Sequence, residues 1–444
     1  MDRLLITGTG SGCGKTTVTM GLLAALKARG LAVSSFKCGP DYIDPMFHRE
    51  ALGIPSYNLD PFFSDEDDLR RSFCRHAGRD VSVMEGVMGY YDGIGPEGAC
   101  STWDVARITG TPAVLVVSAR GMATSAGAIL AGFRDFRPDA GIRGVIFNGV
   151  PASMLPLLSR ISEDQGIPCF GCLPRKEELS VGSRNLGLIT SAEIEDIRSL
   201  ISQLGQLVEE NLDVDGLLAL ASRAPVLSVP EHSADPPRFS VRVAVAEDKA
   251  FCFRYQDNLD LLESMGAEIV PFSPMTDRAL PADVHALYLC GGYPELHLQE
   301  LSGNISMRDS IRSAVSGGLP VFAECGGFMY LHDDISGVPM CGVISGSCTE
   351  RNRLQRFGYI SLTTGKDSLM GPAGSVIRAH EFHYYDSTSN GDSCTAEKAS
   401  NRVSYACCHA GDTLFAGFPH LYLPSAPSFA ESFLRRAFEY ASRI

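Results

Sequence analysis

Short apolar runs recur along the first half of the chain with longer amphipathic stretches between them. Leu4 to Thr7, Val81 to Met84, Ala113 to Val117 and Gly144 to Phe147 are largely apolar without strict alternation, and Ala32 to Lys37 reads as a further strand among them. That pattern predicts strands covered on both faces rather than one. Helical periodicity fills the gaps from about Val18 to Arg29, Ala123 to Phe133 and Ser153 to Gln165, and a longer stretch from Ile189 to Leu220 is polar on one side. Strands and helices taking turns predict a doubly wound α/β sheet. The rhythm stops at SVPEHSADPPRFS, a Pro- and Ser-rich stretch that reads as a linker. It restarts with a strand at Val241 to Ala246, a helix at Gln256 to Met265, strands at Glu268 to Phe272 and Ala286 to Cys290, and a β-prone run from Gly318 to Glu324. The expected organisation is an α/β domain over 1–230, a linker over 231–239 and a second α/β domain over 240–444.

Composition narrows the functional classes. At 444 residues the chain exceeds one ordinary core, and 45% apolar and 20% charged residues with 45 glycines describe a globular α/β protein with many tight strand-to-helix turns. A net charge of −14 argues against a nucleic-acid surface, so anionic ligands must be met by local Lys, Arg and helix N-termini. The fourteen cysteines are scattered, without a disulfide framework or paired zinc knuckles, so reduced thiols are expected. No run approaches a membrane span, and MDRLLITG passes straight into a strand and a glycine loop, leaving no room for a leader. The expected location is the cytoplasm, with no membrane partner.

The first chemical motif is GTGSGCGKTT between the first strand and the first helix. Backbone N–H groups of Gly12, Cys13 and Gly14 would surround phosphates, Lys15 would neutralise them, and the Thr16 hydroxyl would reach Mg²⁺. The loop departs from the ordinary pattern, because Thr9 stands where a glycine is usual and Gly8 comes one position earlier. A purely structural turn is the plainer alternative. GKTT between strand and helix weighs against it.

Acids follow the next strands. CGPDYIDP leaves Asp41 and Asp44 on a loop at the carboxyl edge of the sheet, where such folds bind ligands. Glu85 closes the apolar run before GVMGYYDG, and Asp92 lies one loop further on. Any one of these acids alone reads best as a cap or a solvated turn. Three acids converging after three strands read as metal and substrate chemistry. Asn148, at another strand end, reads equally as an adenine-edge contact or a turn closure.

The second motif is FAECGGFMYL, Phe322 to Leu331. An apolar strand drives into Cys325, the flanking Ala323 and Gly327 are small, and helix formers follow, which is how a nucleophile elbow is written. A helix N-terminus there would favour the thiolate, and the Gly326 N–H would face a developing oxyanion. Gly291 and Gly292 of LCGGYPEL could supply the other half of that hole. A buried structural cysteine is the plainer alternative. A base is also needed, and His380, His383 and His420 all qualify, so the pattern does not choose.

Taken together, GTGSGCGKTTVTMGLL, KCGPDYIDP, EGVMGYYDG, AFCFRYQDNLDLLE, FSPMTDRALP, LCGGYPEL, AECGGFMYL, RFGY and RAHEFHYY resemble, in order and over nearly the whole chain, the cobyrinic acid a,c-diamide synthase family. The resemblance implies a P-loop amide-ligase domain of the dethiobiotin synthetase and MinD-like branch, followed by a class I glutamine amidotransferase domain. It implies ATP held by Gly12, Cys13, Gly14, Lys15, Thr16, Thr17 and Asn148. It implies Mg²⁺ near Thr16, Asp41 and Glu85, and an acyl phosphate site around Asp41, Tyr42, Asp44, Glu85 and Asp92. In the second domain it implies Cys325 with His420 as catalytic pair and Gly292 with Gly326 as oxyanion hole. The expected partners are small molecules (a tetrapyrrole polycarboxylate, L-glutamine and ATP), with no nucleic acid and a homodimer allowed. The c and a acetate side chains of cobyrinic acid would be amidated in turn. Nickel sirohydrochlorin and sirohaem are rival acceptors, since their amidating enzymes share these blocks. A MinD-type ATPase switch explains the first loop but not the elbow cysteine, and an inactive glutaminase scaffold stays open. One block departs from the family: a Ser-Tyr pair usually precedes this histidine and a second histidine follows two residues later. Here Gly417 and Phe418 precede His420 and Tyr422 follows, which makes the glutaminase half the less settled one. Arg351, Arg353, Arg356 and Arg378 are candidates to hold the macrocycle.

Overall fold

The computed structural model describes residues 1–175, 191–229 and 238–443. The chain divides into two compact units, Met1–Glu231 and His232–Ile444. Most of the expected linker lies outside the described residues.

The first unit runs β1 (Arg3–Gly8), α1 (Lys15–Ala28), β2 (Val33–Cys38), α2 (Ile43–Glu50), β3 (Ser56–Leu59), α3 (Glu66–His76), β4 (Val81–Glu85), α4 (Thr102–Thr109), β5 (Ala113–Ser118), α5 (Ser125–Asp135), β6 (Ile142–Asn148), α6 (Leu155–Asp164), β7 (Cys169–Leu173), α7 (Ser191–Asn211) and α8 (Val214–Ala221). Its strands make one sheet in the order β3-β2-β4-β1-β5-β6-β7, all pairs parallel. Alternate strand residues serve opposite layers. Leu4 and Ile6 pack with Val18, Leu22 and Leu204 on one face, while Leu5 packs with Phe36, Phe73 and Leu130 on the other. Burial on both faces is why these strands show no strict apolar–polar alternation, although β2 also buries Ser34, Ser35 and Lys37.

Three expectations change here. The single long helix is two, because the chain breaks between Asn211 and Val214, where Asp213 caps α8 through the Gly216 N–H at 2.8 Å. Asp44 is not on a loop: it sits in the first turn of α2, and Asp41 accepts the Ile43 N–H at 2.8 Å at the head of that helix. The strands bearing the acids are also not consecutive, since β3, which breaks the apolar pattern with Asn58, intervenes. Sheet order nevertheless sets β2, β4 and β1 side by side.

The second unit runs β8 (Val241–Ala246), α9 (Gln256–Ser264), β9 (Ala267–Phe272), β10 (Ala286–Leu289), α10 (Leu298–Gly303), α11 (Ile305–Ser316), β11 (Val321–Glu324) and α12 (Gly326–Tyr330). Strands β12 (His332–Ile335), β13 (Val338–Pro339), β14 (Ile344–Glu350), β15 (Arg356–Thr364), β16 (Val376–His383), β17 (Tyr385–Ser387), β18 (Cys394–Lys398), β19 (Ser404–Cys407), β20 (His409–Ala410), β21 (Leu414–Gly417) and β22 (His420–Leu421) precede α13 (Pro427–Ala441). The main sheet is β20-β21-β11-β10-β8-β9, parallel except for β20 at one edge. Two smaller sheets, β13-β12-β14-β17 and β19-β18-β15-β16-β22, share its core. Among the described residues no helix is long and apolar enough to cross a membrane.

Candidate functional site

In the first unit the functional side chains gather at the carboxyl ends of β1, β2 and β4. Gly12 and Gly14 hold φ of 76° and 102°, a region that only glycine enters freely, and this lets the loop curl back before α1. A Cβ on Gly14 would fall 1.9 Å from Nδ2 of Asn148, and that same amide donates to the Cys13 carbonyl at 2.9 Å. Asn148 therefore braces the loop. Lys15 is buried, which lowers its pKa, and its ammonium donates to the carbonyls of Gly10 at 2.9 Å and Met88 at 2.5 Å. The open loop amides, the buried cation and the half-buried Thr16 and Thr17 in the first turn of α1 form a cradle that fits a nucleotide triphosphate.

Beside the cradle lies a buried ionic cluster. Lys37 and Glu85 are register partners on neighbouring parallel strands, and their charged ends meet at 2.9 Å. Lys37 also binds Asp44 and lies 3.7 Å from Asp41. Thr16 donates its hydroxyl to the same Glu85 oxygen at 2.6 Å. Burial opposes charge on every member, and the pairings decide the outcome. Lys37 is held well above its ordinary value, because Asp44, Glu85 and Asp41 outweigh desolvation. Asp44, also desolvated, is held below the usual carboxylate range by Lys37. Burial and the Asp44 charge push Glu85 up to about 7 and Asp41 to about 6. His48 is buried behind the cluster, 3.8 Å from Glu85, and desolvation lowers it to about 4, so it is neutral.

Among the described residues no three His, Cys, Asp or Glu side chains form a metal cage. Thr16 beside Glu85, whose second carboxylate oxygen has no hydrogen-bond partner among the described residues, fits Mg²⁺, which takes one or two protein oxygens and fills its octahedron with phosphates and water. Asp41 is further committed, with one oxygen capping α2 and the other facing Lys37. Tyr42 is buried at the start of α2. Asp92 accepts the Gly89 N–H at 2.8 Å, closing its own turn. The sequence reading gave no role to Lys37. Its signal is a lysine at the end of an apolar strand, and only the register reveals what it faces.

In the second unit Cys325 ends β11 with φ 44° and ψ −102°, the strained conformation of an elbow. A Cβ on Gly326 would meet the Gly292 nitrogen at 2.9 Å, and one on Gly327 would meet the Leu289 carbonyl at 2.2 Å, so the turn tolerates only glycine there. The same closeness brings Gly292 against Gly326, and the Gly326 backbone favours the thiolate of Cys325. The thiolate expectation needs correction. α12 is only five residues long, and burial, with the charges of Glu295, Glu324 and Glu381, pushes the Cys325 thiol up rather than down.

His420 lies in β22, paired with His380 across β16. Its ring covers Gly291, where a Cβ would stand 2.2 Å from Cε1, so it shares the loop that carries Gly292. Burial, with His380 and His383 nearby, lowers it to about 3, so the imidazole is neutral. His383 stacks on Phe418 at 3.9 Å and 4°, and its Nδ1 lies 2.6 Å from the Tyr385 carbonyl, so Phe418 of the departing block is a packing partner. Of the candidate arginines, Arg356 lies over the Tyr405 ring at 3.6 Å and Arg351 approaches Asp386 at 3.7 Å.

Glu324 ties the elbow to the histidine. It accepts the Leu421 N–H at 2.6 Å and the Tyr288 hydroxyl at 2.7 Å, and burial pushes it up to about 8, so it is mostly protonated at neutral pH. A folded value above the unfolded one near 4.3 means that its contribution is complete below pH 4 and is lost as pH rises through about 8. Glu324→Gln copies the neutral form. Its melting temperature should match the wild type near pH 5 and exceed it near pH 9; identical pH profiles would contradict this protonation.

Comparison with known proteins gives a consistent picture. Residues 4–188 match a CobQ/CobB/MinD/ParA nucleotide binding domain, and residues 242–427 match a CobB/CobQ-like glutamine amidotransferase domain. A cobyrinate a,c-diamide synthase of Listeria monocytogenes serotype 4b (strain F2365) is 41% identical over 86% of this chain and 87% of its own. That of Priestia megaterium is 38% identical over 98% and 96%. That of Methanothermobacter thermautotrophicus is 38% identical over 99% and 100%.

Proposed function

Because the chain belongs to the cobyrinate a,c-diamide synthase family, a group of glutamine-dependent amide ligases, we propose that it amidates the a and c acetate carboxylates of cobyrinic acid in the cytoplasm, using ATP and glutamine. The observation that carries this reading is the coexistence of two chemistries in one chain. A triphosphate cradle stands beside buried acids in the first unit. In the second an elbow cysteine stands with a neutral imidazole, from β22, that covers the loop of Gly291 and Gly292 packed on the elbow.

In this reading His420 takes the Cys325 proton as glutamine enters, which offsets the cost of a buried thiolate. The sulfur attacks the side-chain amide, and Gly292 and Gly326 hold the oxyanion. Ammonia leaves, and water cleaves the thioester to glutamate. In the first unit the loop amides and Lys15 position the triphosphate for transfer of its γ-phosphoryl group to the acceptor carboxylate. Ammonia then displaces phosphate from the acyl phosphate. Bound Mg²⁺ would neutralise phosphate charge, held by Thr16 and Glu85. Asp41, Tyr42, Asp44 and Asp92 would border the acceptor, and Lys37 would keep Asp44 ionised beside it. Asn148 would fix the loop from the adenine side.

The test is direct. Purified protein with ATP, Mg²⁺ and glutamine is offered cobyrinic acid, hydrogenobyrinic acid and nickel sirohydrochlorin, and products are read by mass. Conversion of two carboxylates of cobyrinic acid to amides is expected. Turnover of nickel sirohydrochlorin alone would move the substrate, and no product from any acceptor would end the ligase reading. Lys15→Ala should lower amidation at least about 10²-fold with glutamine and with ammonium chloride alike. Retained ammonia-driven activity would remove ATP from the mechanism.

A further inference from the structure

Glu295 has no part in the chemistry above, yet it stands at the glutaminase centre. It follows Gly291 and Gly292 in a short turn, Pro294–Leu296, and that turn packs on the elbow: a Cβ on Gly326 would meet Pro294 Cδ at 2.9 Å. Its Oε2 is buried and has no hydrogen-bond partner among the described residues. Its charge is felt by Cys325 on one side and by Tyr385, in β17, on the other. Glu350, at the end of β14, is a further anionic neighbour, and burial raises the Glu295 carboxyl to about 7. The Glu295 backbone N–H supports this carboxyl, but its buried Oε2 has no donor among the described residues and a second acid nearby, a setting that a cation would complete.

Glutamine brings one. Held with its side-chain amide at Cys325, it carries its α-ammonium a few bonds away, and that ammonium is its only positive charge. We propose that Glu295 recognises the α-ammonium of glutamine and so selects the amino acid over simple amides. The proposal rests on the reading of Cys325 as a glutaminase nucleophile. An ammonium at Oε2 would satisfy the orphan acceptor and draw the carboxyl to its ionised form. An amide lacking the α-amino group would leave it unpaired, which is how a polar site rejects an analogue. Glu295 is thus a specificity residue, remote from the bond that breaks.

The experiment compares L-glutamine with the monoamide of glutaric acid, which differs only in lacking the α-amino group, for wild type, Glu295→Gln and Glu295→Asp. Glu295→Gln should lower kcat/KM for glutamine at least about 30-fold, mainly through KM, while the deaminated amide changes less than about 3-fold, so the preference collapses. Glu295→Asp should keep part of the preference. Alkylation of Cys325 by neutral iodoacetamide should be no slower than in the wild type in either variant, since Glu295→Gln only removes a charge that raises the thiol, and this shows an intact elbow. Equal loss on both substrates, or an unchanged preference in Glu295→Gln, would overturn the proposal and leave the glutaminase reading standing. If Glu295→Gln does not fold, an undiminished preference in Glu295→Asp with slowed alkylation would overturn it equally. Wild-type protein that hydrolyses neither amide would overturn both.

Discussion

Cys325→Ala should abolish glutamine-dependent amidation while leaving ammonium chloride as a working nitrogen source. The expected loss with glutamine is at least about 10³-fold, the scale seen when a covalent nucleophile is removed, and the ammonia-driven rate should stay within about 3-fold of wild type. The asymmetry follows from where the residue sits. Cys325 belongs to the second unit, whereas the phosphate loop and the Lys37 cluster belong to the first. Alanine removes only the sulfur. The positive φ of 44° is strained for either residue, and the Cys325 N–H keeps its 2.8 Å bond to the Gly417 carbonyl, so the elbow should fold as before. Steady-state rates with each nitrogen source, at saturating ATP and acceptor, decide the matter. Equal loss of both activities would rule out two separable centres.

Much of this was legible in the sequence, and the reasons are local. Strands buried on both faces are mostly apolar, so β1, β4, β5 and β6 were legible. β2 was legible from its place in the alternation with helices despite Ser34 and Ser35, while the four-residue β3 with Asn58 was hidden. GKTT and AECGG are short-range devices whose function depends on neighbours in the chain, and such devices can be read one residue at a time. Pairings across the fold cannot. Lys37 was visible only as the last apolar-strand residue before Cys38, because what gives it meaning is its register opposite Glu85. Glu324 reaches Leu421 across 97 positions, and Glu295 gains its interest from an unfilled hydrogen-bonding oxygen, a property of packing. The helix that was to favour the Cys325 thiolate was read from helix formers after two glycines. Its shortness and the acids around it were not written there.

Lys37→Met should be a severely damaging change in the first unit, because it removes the lysine that meets Asp41, Asp44 and Glu85 and keeps the volume. Breaking a buried pair from one side leaves unpaired charge, at a cost of about 3–5 kcal/mol. Amidation should fall at least about 10²-fold with glutamine and with ammonia, since the acids beside the phosphate loop lose their fixed arrangement. The sign of the pH dependence separates charge from packing. In the wild type Lys37 holds Asp44 below the usual range, so that stabilisation is present above the unfolded value near 3.9 and is lost as pH falls through the lower folded value. In the variant the opposing lysine charge is gone, and burial with repulsion among the acids outweighs their remaining hydrogen bonds. They then take up protons more readily than in the unfolded chain, so lowering the pH relieves the strain. The stability gap between wild type and variant should therefore narrow steadily as pH drops from about 7 to about 4. Urea unfolding at several pH values measures it. A gap that stays constant would mean that Lys37 serves the fold by filling space, and that the acids beside the phosphate loop are held by something other than its charge.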